Sequence, residues 1–428
     1  MKTAMLVVLS AAVSVNAAPR VLTLSEALGE AAKLNPEVQI ARLRIVEREA
    51  QALNAASARQ PQVSAVVAGA YQTSSLVSIG VDISGLTTRL GPYGLLNARP
   101  VVTQTVVDLG LISAIRGARE RATEAREWAV VARETTQFAV AQLYIDALRA
   151  DARAASANAR IKIASGVLKQ TSERHEAGAA SKLDVVRAEQ QVQSERVTAV
   201  TAKRDGDVLR TMLARVIGSE SADFALEPPA VREFDVADVK TVEAEAAGSR
   251  AEVKALAARV RAASQDQAQA VRQRLPKVSA FADFGFLGQS PVRGVSTYTV
   301  GGAVTIPLWT GGRISAEVAA AGARVAQAEH QQRDARLEIA QQVRESLIGL
   351  AASREAEEAA RLGVAAARET VELARLRFAE GISTNLDVVQ AQRALGDAEE
   401  KEIRAKFDSL TAVAQLARAR GDVGSMLK

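Results

Sequence analysis

The sequence contains no cysteine. A disulfide framework and a lipid-modified N-terminal cysteine are both excluded by that absence. Histidine is nearly as scarce, with only His175 and His330, and neither has carboxylates at metal-ligand or triad spacing. No enzymatic or cofactor chemistry is expected from such a set. The glycine pairs Gly301-Gly302 and Gly311-Gly312 lack a phosphate-loop context and read as strand and turn features. Aromatic residues make up 3% of the chain and there are 10 prolines in 428 residues. Beyond the N-terminus there is no apolar stretch of helical membrane length. If the chain enters a membrane it must do so as a β-barrel, whose strands satisfy one another's backbone groups.

What is present is alanine, which carries most of a 48% hydrophobic content. Small side chains let helices approach closely but build a poor globular core, so the composition points to long packed helices. The formal charge of +5 comes from arginines interleaved with glutamates, as in Arg116 through Arg133. Solvated helix faces account for that pattern, and no aromatic-basic cluster suggests nucleic acid as a partner. At the N-terminus, Lys2 precedes an apolar run from Ala4 to Val15 and a small-residue site at Val15-Asn16-Ala17. Residues 1–17 are therefore expected to be a secretory signal peptide.

The remainder is a tandem duplication. Gln60-Pro61-Gln62-Val63-Ser64-Ala65 recurs as Leu275-Pro276-Lys277-Val278-Ser279-Ala280, and Leu109-Gly110-Leu111-Ile112-Ser113-Ala114 as Gly311-Gly312-Arg313-Ile314-Ser315-Ala316. The clearest repeat is Gly178-Ala179-Ala180-Ser181-Lys182-Leu183-Asp184-Val185-Val186 against Gly381-Ile382-Ser383-Thr384-Asn385-Leu386-Asp387-Val388-Val389. Each copy ends a long helical pattern on a glycine and opens another through an acidic first turn. Both read as tips of helical hairpins, with Ser181 or Ser383 and then Asp184 or Asp387 capping the second helix. The expected organisation is a first repeat over 18–227, a connector over 228–248 and a second repeat over 249–428.

Each repeat orders as helix, two strands, long helix, tip and shorter helix. The first helix runs from about Pro36, behind the cap Asn35, to about Arg59. Residues 61–108 and 276–309 change to a period of two. In the second copy Val278, Ala280, Ala282, Phe284 and Phe286 alternate with polar or tiny residues. So do Tyr298, Val300, Val304, Ile306 and Leu308 in a strand expected over about 297–308. Pro100 is expected at a bulge or rim. Two strands per copy cannot bury an apolar face in water, whereas a membrane barrel needs that face outward, so these five residues are expected to meet lipid. Four strands cannot close a barrel. Three chains would give twelve strands and an open lumen, which makes a homotrimer the expected assembly.

The long helices, about 111–176 and 313–380, would each reach on the order of 100 Å. Heptad spacing is read in Ile314, Val318, Ala321 and Val325, in Val364, Ala367, Val371, Ala374 and Phe378, and in Trp128, Val131, Phe138 and Ile145. Coiled-coil packing into a helical cylinder follows, with paired shorter helices lying end to end beside each long one. A secreted or periplasmic coiled-coil adhesion or structural protein without a pore would share these helices. It would leave the two alternating hairpins unexplained.

Taken together, Leu24-Ser25-Glu26-Ala27-Leu28, Asn35-Pro36-Glu37, Ile306-Pro307-Leu308-Trp309-Thr310-Gly311-Gly312-Arg313 and the two tips, in this order, resemble the TolC-type outer-membrane efflux proteins. The resemblance covers essentially the whole mature chain. It implies a mainly α fold with a small membrane β part: a trimeric α-barrel and a shared twelve-stranded transmembrane β-barrel. It also implies an outer-membrane exit duct of a Gram-negative bacterium that reaches into the periplasm, docked to an adaptor (membrane fusion) protein and an inner-membrane pump of the RND, ABC or MFS type, for efflux or type I secretion. Under it Gly178, Ser181, Leu183, Asp184, Gly381, Ser383, Leu386 and Asp387 become adaptor contacts, and Asp387 with Gln390 the periplasmic gate.

Overall fold

The computed structural model describes residues 20–77, 80, 85, 88–232, 234, 239–290 and 292–427. The expected signal peptide and part of the expected connector lie outside these residues. The chain divides into two compact units, and the boundaries cut through helices.

One unit holds residues up to Gln39, Ala132–Ala246 and Ile339 onward. A short strand β1 (Arg20–Leu22) pairs in parallel with β4 (Phe224–Leu226). Helix α1 (Leu24–Leu34) follows, started by a capping box in which Thr23 and Glu26 bond each other's backbone N–H. It buries Leu24, Ala27, Leu28 and Ala31, a three-four spacing that turns one stripe inward. Asn35 then caps α2 (Pro36–Ser57), its side-chain oxygen accepting from the N–H groups of Glu37 and Val38. Its amide donates at 2.7 Å to the Val216 carbonyl near the end of α4 (Lys182–Ile217). The start of α2 thus abuts the end of α4, and one asparagine satisfies orphan groups of both helices.

The long helices are α3 (Leu109–Glu176, 68 residues) and α7 (Arg313–Ala379, 67 residues). Their hairpin partners are α4 and α8 (Asn385–Arg420), each of 36 residues. The heptad of α7 is plain in its burial: Val364 and Val371 are covered, and they pack with Ala391 and Leu395 of α8. In α3 the expected heptad holds at one end: Ile145 is fully buried and Val131 and Phe138 are half-buried, but Trp128 is 40% exposed. Toward the tip, covered positions seven apart include Ala150, Ala157, Ala164 and Thr171. Alanine lets the backbones approach, and bulky residues at those positions would hold them apart. The stretch expected as connector carries a further helix, α5 (Val239–Ser249), with Val242 and Ala246 buried.

The centre of this unit is Tyr144 on α3, whose relative exposure is 0%. Its hydroxyl lies 2.7 Å from both the Leu22 and Glu227 carbonyls, which share its one proton, and it accepts the Glu227 N–H at 3.1 Å. One phenol therefore ties the end of β1 and the segment after β4 to the long helix. Sequence reading missed it, because nothing local marks a tyrosine whose partners lie 122 and 83 residues away.

The other unit, Ile40–Val131 and Ala247–Glu338, contains α6 (Ala251–Arg272) and a four-stranded antiparallel sheet. Its strands are β2 (Gln62–Ser75), β3 (Arg89–Val107), β5 (Lys277–Ser290) and β6 (Arg293–Thr305), ordered β2-β3-β5-β6. The two hairpins are joined through β3 and β5, leaving β2 and β6 as edges. Two expectations change here. Pro100 sits at neither rim nor bulge: it pairs with Ala65 inside β3, and the irregularities lie at Gln72/Ser74, Thr105/Val107 and Gly288/Ser290. Pairing of β3 with β5 lapses at Arg99 and Pro100 and resumes in the same register, since proline has no N–H to offer. Second, β6 ends at Thr305, so Ile306 and Leu308 lie beyond the strand. Pro307 cannot donate to a ladder, and the strand closes before it.

Candidate functional site at the hairpin tips

Both tips are built by the same local chemistry. At the end of α3, Gly178 adopts φ +77°, and Ala179 N–H reaches back to the Arg174 carbonyl at 2.7 Å. At the end of α7, Gly381 adopts φ +76°, and Ile382 N–H bonds the Arg377 carbonyl at 2.9 Å. This is the six-to-one closure that stops a helix on a left-handed glycine. Replacing Gly381 by valine should disfavour the turn, because a β-branched side chain opposes positive φ. The expected result is a lower unfolding midpoint with helix content unchanged by circular dichroism; a wild-type midpoint would count against the turn's role.

The caps differ from the expectation in one copy. Ser181 caps α4: its hydroxyl donates to Asp184 Oδ2 at 2.6 Å, and its N–H does so at 3.1 Å. In the second copy the equivalent residue is Thr384, whose N–H and hydroxyl donate to Asp387 Oδ2 at 2.9 and 3.0 Å. Ser383 is therefore one residue out of register. It aligns with Ala180, and its hydroxyl is buried without a partner. The backbone and side-chain hydrogen bonds of Thr384 hold the Asp387 carboxyl below the ordinary aspartate range. A depressed acid contributes its stabilisation above the unfolded-state pKa and loses it as pH falls through the folded value. The tip carboxylate is accordingly charged throughout the neutral range and its cap is lost only in acid.

Around the caps the tips are unequal. Val388 and Val389 are buried, whereas Val186 of the first copy is 48% exposed. Leu183 is 56% exposed, Leu386 38% and Ile382 63%, so each tip presents an apolar residue beside its acid. Gln390 is exposed, one turn from Asp387. The two tips also touch. The Arg174 guanidinium lies 4.2 Å above the Phe378 ring and donates to the Phe378 carbonyl, while Asn385 donates to the Asp184 carbonyl at 3.2 Å. Asn385, 4% exposed, was not foreseen as a site residue. His175 stands at the tip with its ring nitrogen 2.8 Å from the Ala180 carbonyl.

Farther along the same helices a charged network joins the two hairpins. Arg160 of α3 donates to Glu195 of α4 at 2.8 Å and to Glu399 of α8 at 3.3 Å, and Ser156 also donates to Glu399. Arg393 of α8 donates to Gln191 of α4 at 3.0 Å, and Gln191 donates to Glu195 at 2.9 Å. The Arg160 side chain is only 11% exposed. Burial would push its pKa down, but the hydrogen bonds and charges of Glu195 and Glu399 outweigh that and raise it. A cavity of about 330 Å³ lies beside this network, lined by Ile163, Val371 and Leu395 among others. Among the described residues no group of three or more His, Asp or Glu could hold a metal ion.

Known proteins agree with this architecture. The chain matches the family model described as outer membrane efflux protein over residues 27–219 and 243–422. No curated protein matches it. Among solved structures it resembles a membrane protein from Pseudomonas aeruginosa, at 21% identity and TM-score 0.83, covering 93% of each chain. The outer membrane protein VceC from Vibrio cholerae is similar at 19% identity and TM-score 0.81, covering 93% of this chain and 96% of that one. The open-state MtrE outer membrane channel from Neisseria gonorrhoeae is similar at 18% identity and TM-score 0.78, covering 94% and 89%. The long duplicated helices, the four-stranded sheet that draws two strands from each repeat and the family match over both repeats lead to one conclusion: the chain belongs to the outer membrane efflux protein family.

Proposed function

We propose that this efflux protein is the passive exit duct of a tripartite pump or type I secretion system. Three chains would share a twelve-stranded barrel in the outer membrane and a helical tunnel in the periplasm. The observation that carries the reading is the inverted sheet. Register places Val63, Val67, Ala98, Ala282, Phe284, Tyr298 and Val300 on one face. Tyr298 and Val300 are 77% and 76% exposed, while the side chains of Arg99 and Asp283 on the other face are each 15% exposed. A water-soluble sheet does the reverse. Lipid outside and water inside fit it, and edge strands 14 and 13 residues long invite strands from other copies. Among the described residues no helix is long and apolar enough to cross a membrane.

Tyr298, Val300 and Val304 are assigned to the lipid-facing strand, with Ile306 and Leu308 just past its end. Gly178, Ser181, Leu183, Asp184, Gly381, Ser383, Leu386 and Asp387 are assigned to contact with a periplasmic adaptor that is itself coupled to an inner-membrane pump. Asp387 and Gln390 are assigned to the resting gate. Energy comes from the pump, and no bond is made or broken in the duct. The test of assembly is heat-resistant trimer migration in detergent together with sedimentation with outer membranes; a soluble monomer would refute it. For the gate, Asp387→Ala is expected to leave trimerisation intact and change resting closure. Unchanged single-channel conductance together with unchanged adaptor binding would refute that assignment.

A further inference from the structure

We infer that Arg99 and Asp283 set the charge selectivity of the barrel lumen by neutralising each other across the β3–β5 seam; this rests on the barrel reading above. Between their ends the four strands carry no other charged residue. Arg89, Lys277 and Arg293 are all terminal. The two interior charges come from different repeats, 184 residues apart, yet Arg99 Nη1 donates to Asp283 Oδ1 at 2.6 Å. Arg99 also donates to Asn97 Oδ1 and, at 3.4 Å, to Thr297 Oγ1 on β6. The guanidinium thus lies along the polar face across three strands, and Gly285 makes room for it. A Cβ at 285 would stand 2.3 Å from Arg99 Cβ and 2.4 Å from the Ala98 carbonyl oxygen. The pair occupies the face that would line the water-filled lumen, where rings of fixed charge govern which ions pass.

A neutral pair adds no net charge to the lumen. Removing one partner leaves a single uncompensated charge per chain, and threefold assembly turns that into a ring. The test is reversal potential in planar bilayers under a salt gradient at about 0.1 M or below, where the screening length is at least about 10 Å. Asp283→Asn is expected to shift the permeability ratio toward anions, and Arg99→Gln toward cations, each by a factor of about 2 to 5. The double variant Arg99→Gln/Asp283→Asn should return to the wild-type ratio. A purely structural role would not produce opposite signs that cancel. Single variants that conduct with the wild-type ratio would overturn the proposal. It would be overturned equally if both single variants failed to insert while the double inserted, since the pair would then be a structural brace. All variants are made with Asp184 and Asp387 replaced by alanine as well as in the wild-type background, so that a closed tip cannot mask the lumen. Absence of conductance steps from both backgrounds would instead count against the barrel reading itself.

Discussion

Tyr144→Phe is expected to lower the stability of the helical unit by about 1 to 3 kcal/mol, read as earlier loss of helical circular dichroism on denaturant titration. The substitution keeps the ring and its packing, so no cavity term enters. It strips the buried Leu22 carbonyl, and the partly buried Glu227 carbonyl and N–H, of their common partner. Buried backbone groups left unpaired cost their full desolvation. The same site predicts an alkaline transition. Burial is the main cause that pushes the Tyr144 pKa up, from 10.0 to about 12. A group whose folded pKa is raised stabilises the fold fully below the unfolded value and loses that contribution as pH rises through the folded one. Stability should therefore fall between pH 10 and about 12, by roughly 3 kcal/mol at most. Tyr144→Phe, which cannot ionise, should lack that part of the decline. A Phe variant with wild-type stability and the same alkaline profile would remove Tyr144 from this role.

Arg160→Ala is the second large effect. It leaves Glu195, 10% exposed, without its cation, and Glu399, 19% exposed, with only the more distant Arg368 at 4.0 Å. Removing one member of a buried ion pair costs about 3 kcal/mol or more, because the remaining charge stays desolvated. The network joins α3 to α4 and α8, so the loss should appear in the contact between the two hairpins. The expected outcome is a lower unfolding midpoint and a raised resting conductance. Adding Glu195→Gln and Glu399→Gln to Arg160→Met should recover much of the stability, because the stranded charges are then gone. A lone Arg160→Ala variant with wild-type midpoint and wild-type leak would show that the network holds nothing shut.

Most of this architecture was legible because it rests on local periodicity. A period of two gave the strands around Val278 and Tyr298, and a period of seven gave the seam at Val364 and Val371. A glycine before a small polar residue and an aspartate gave both tips. What escaped was of three kinds. The alanine seam of α3 was hidden because Ala150, Ala157 and Ala164 look like the alanines on every other face, while of the expected heptad Ile145 is buried and Trp128 is exposed. The cap in the second copy slipped by one residue because Ser383 and Thr384 are both capable caps, and only the Asp387 contact separates them. The third kind is non-local. Tyr144 with Leu22, Arg160 with Glu399 and Arg99 with Asp283 are set by how distant segments meet, and no spacing announces such pairs. At the candidate site, the acid and glycine of each tip could be read from sequence, but Asn385 and the Arg174–Phe378 contact between the tips could not.

The central claim, that this chain forms a duct, is tested most directly by planar-bilayer conductance of trimer purified from outer membranes. A second preparation would carry Asp184 and Asp387 both replaced by alanine, so that a closed tip cannot mask the lumen. Discrete conductance steps, larger or more frequent in the double variant, are the predicted result. Silence from both preparations, with the trimer folded by circular dichroism and heat-resistant migration, would contradict the duct and favour a coiled-coil protein without a pore.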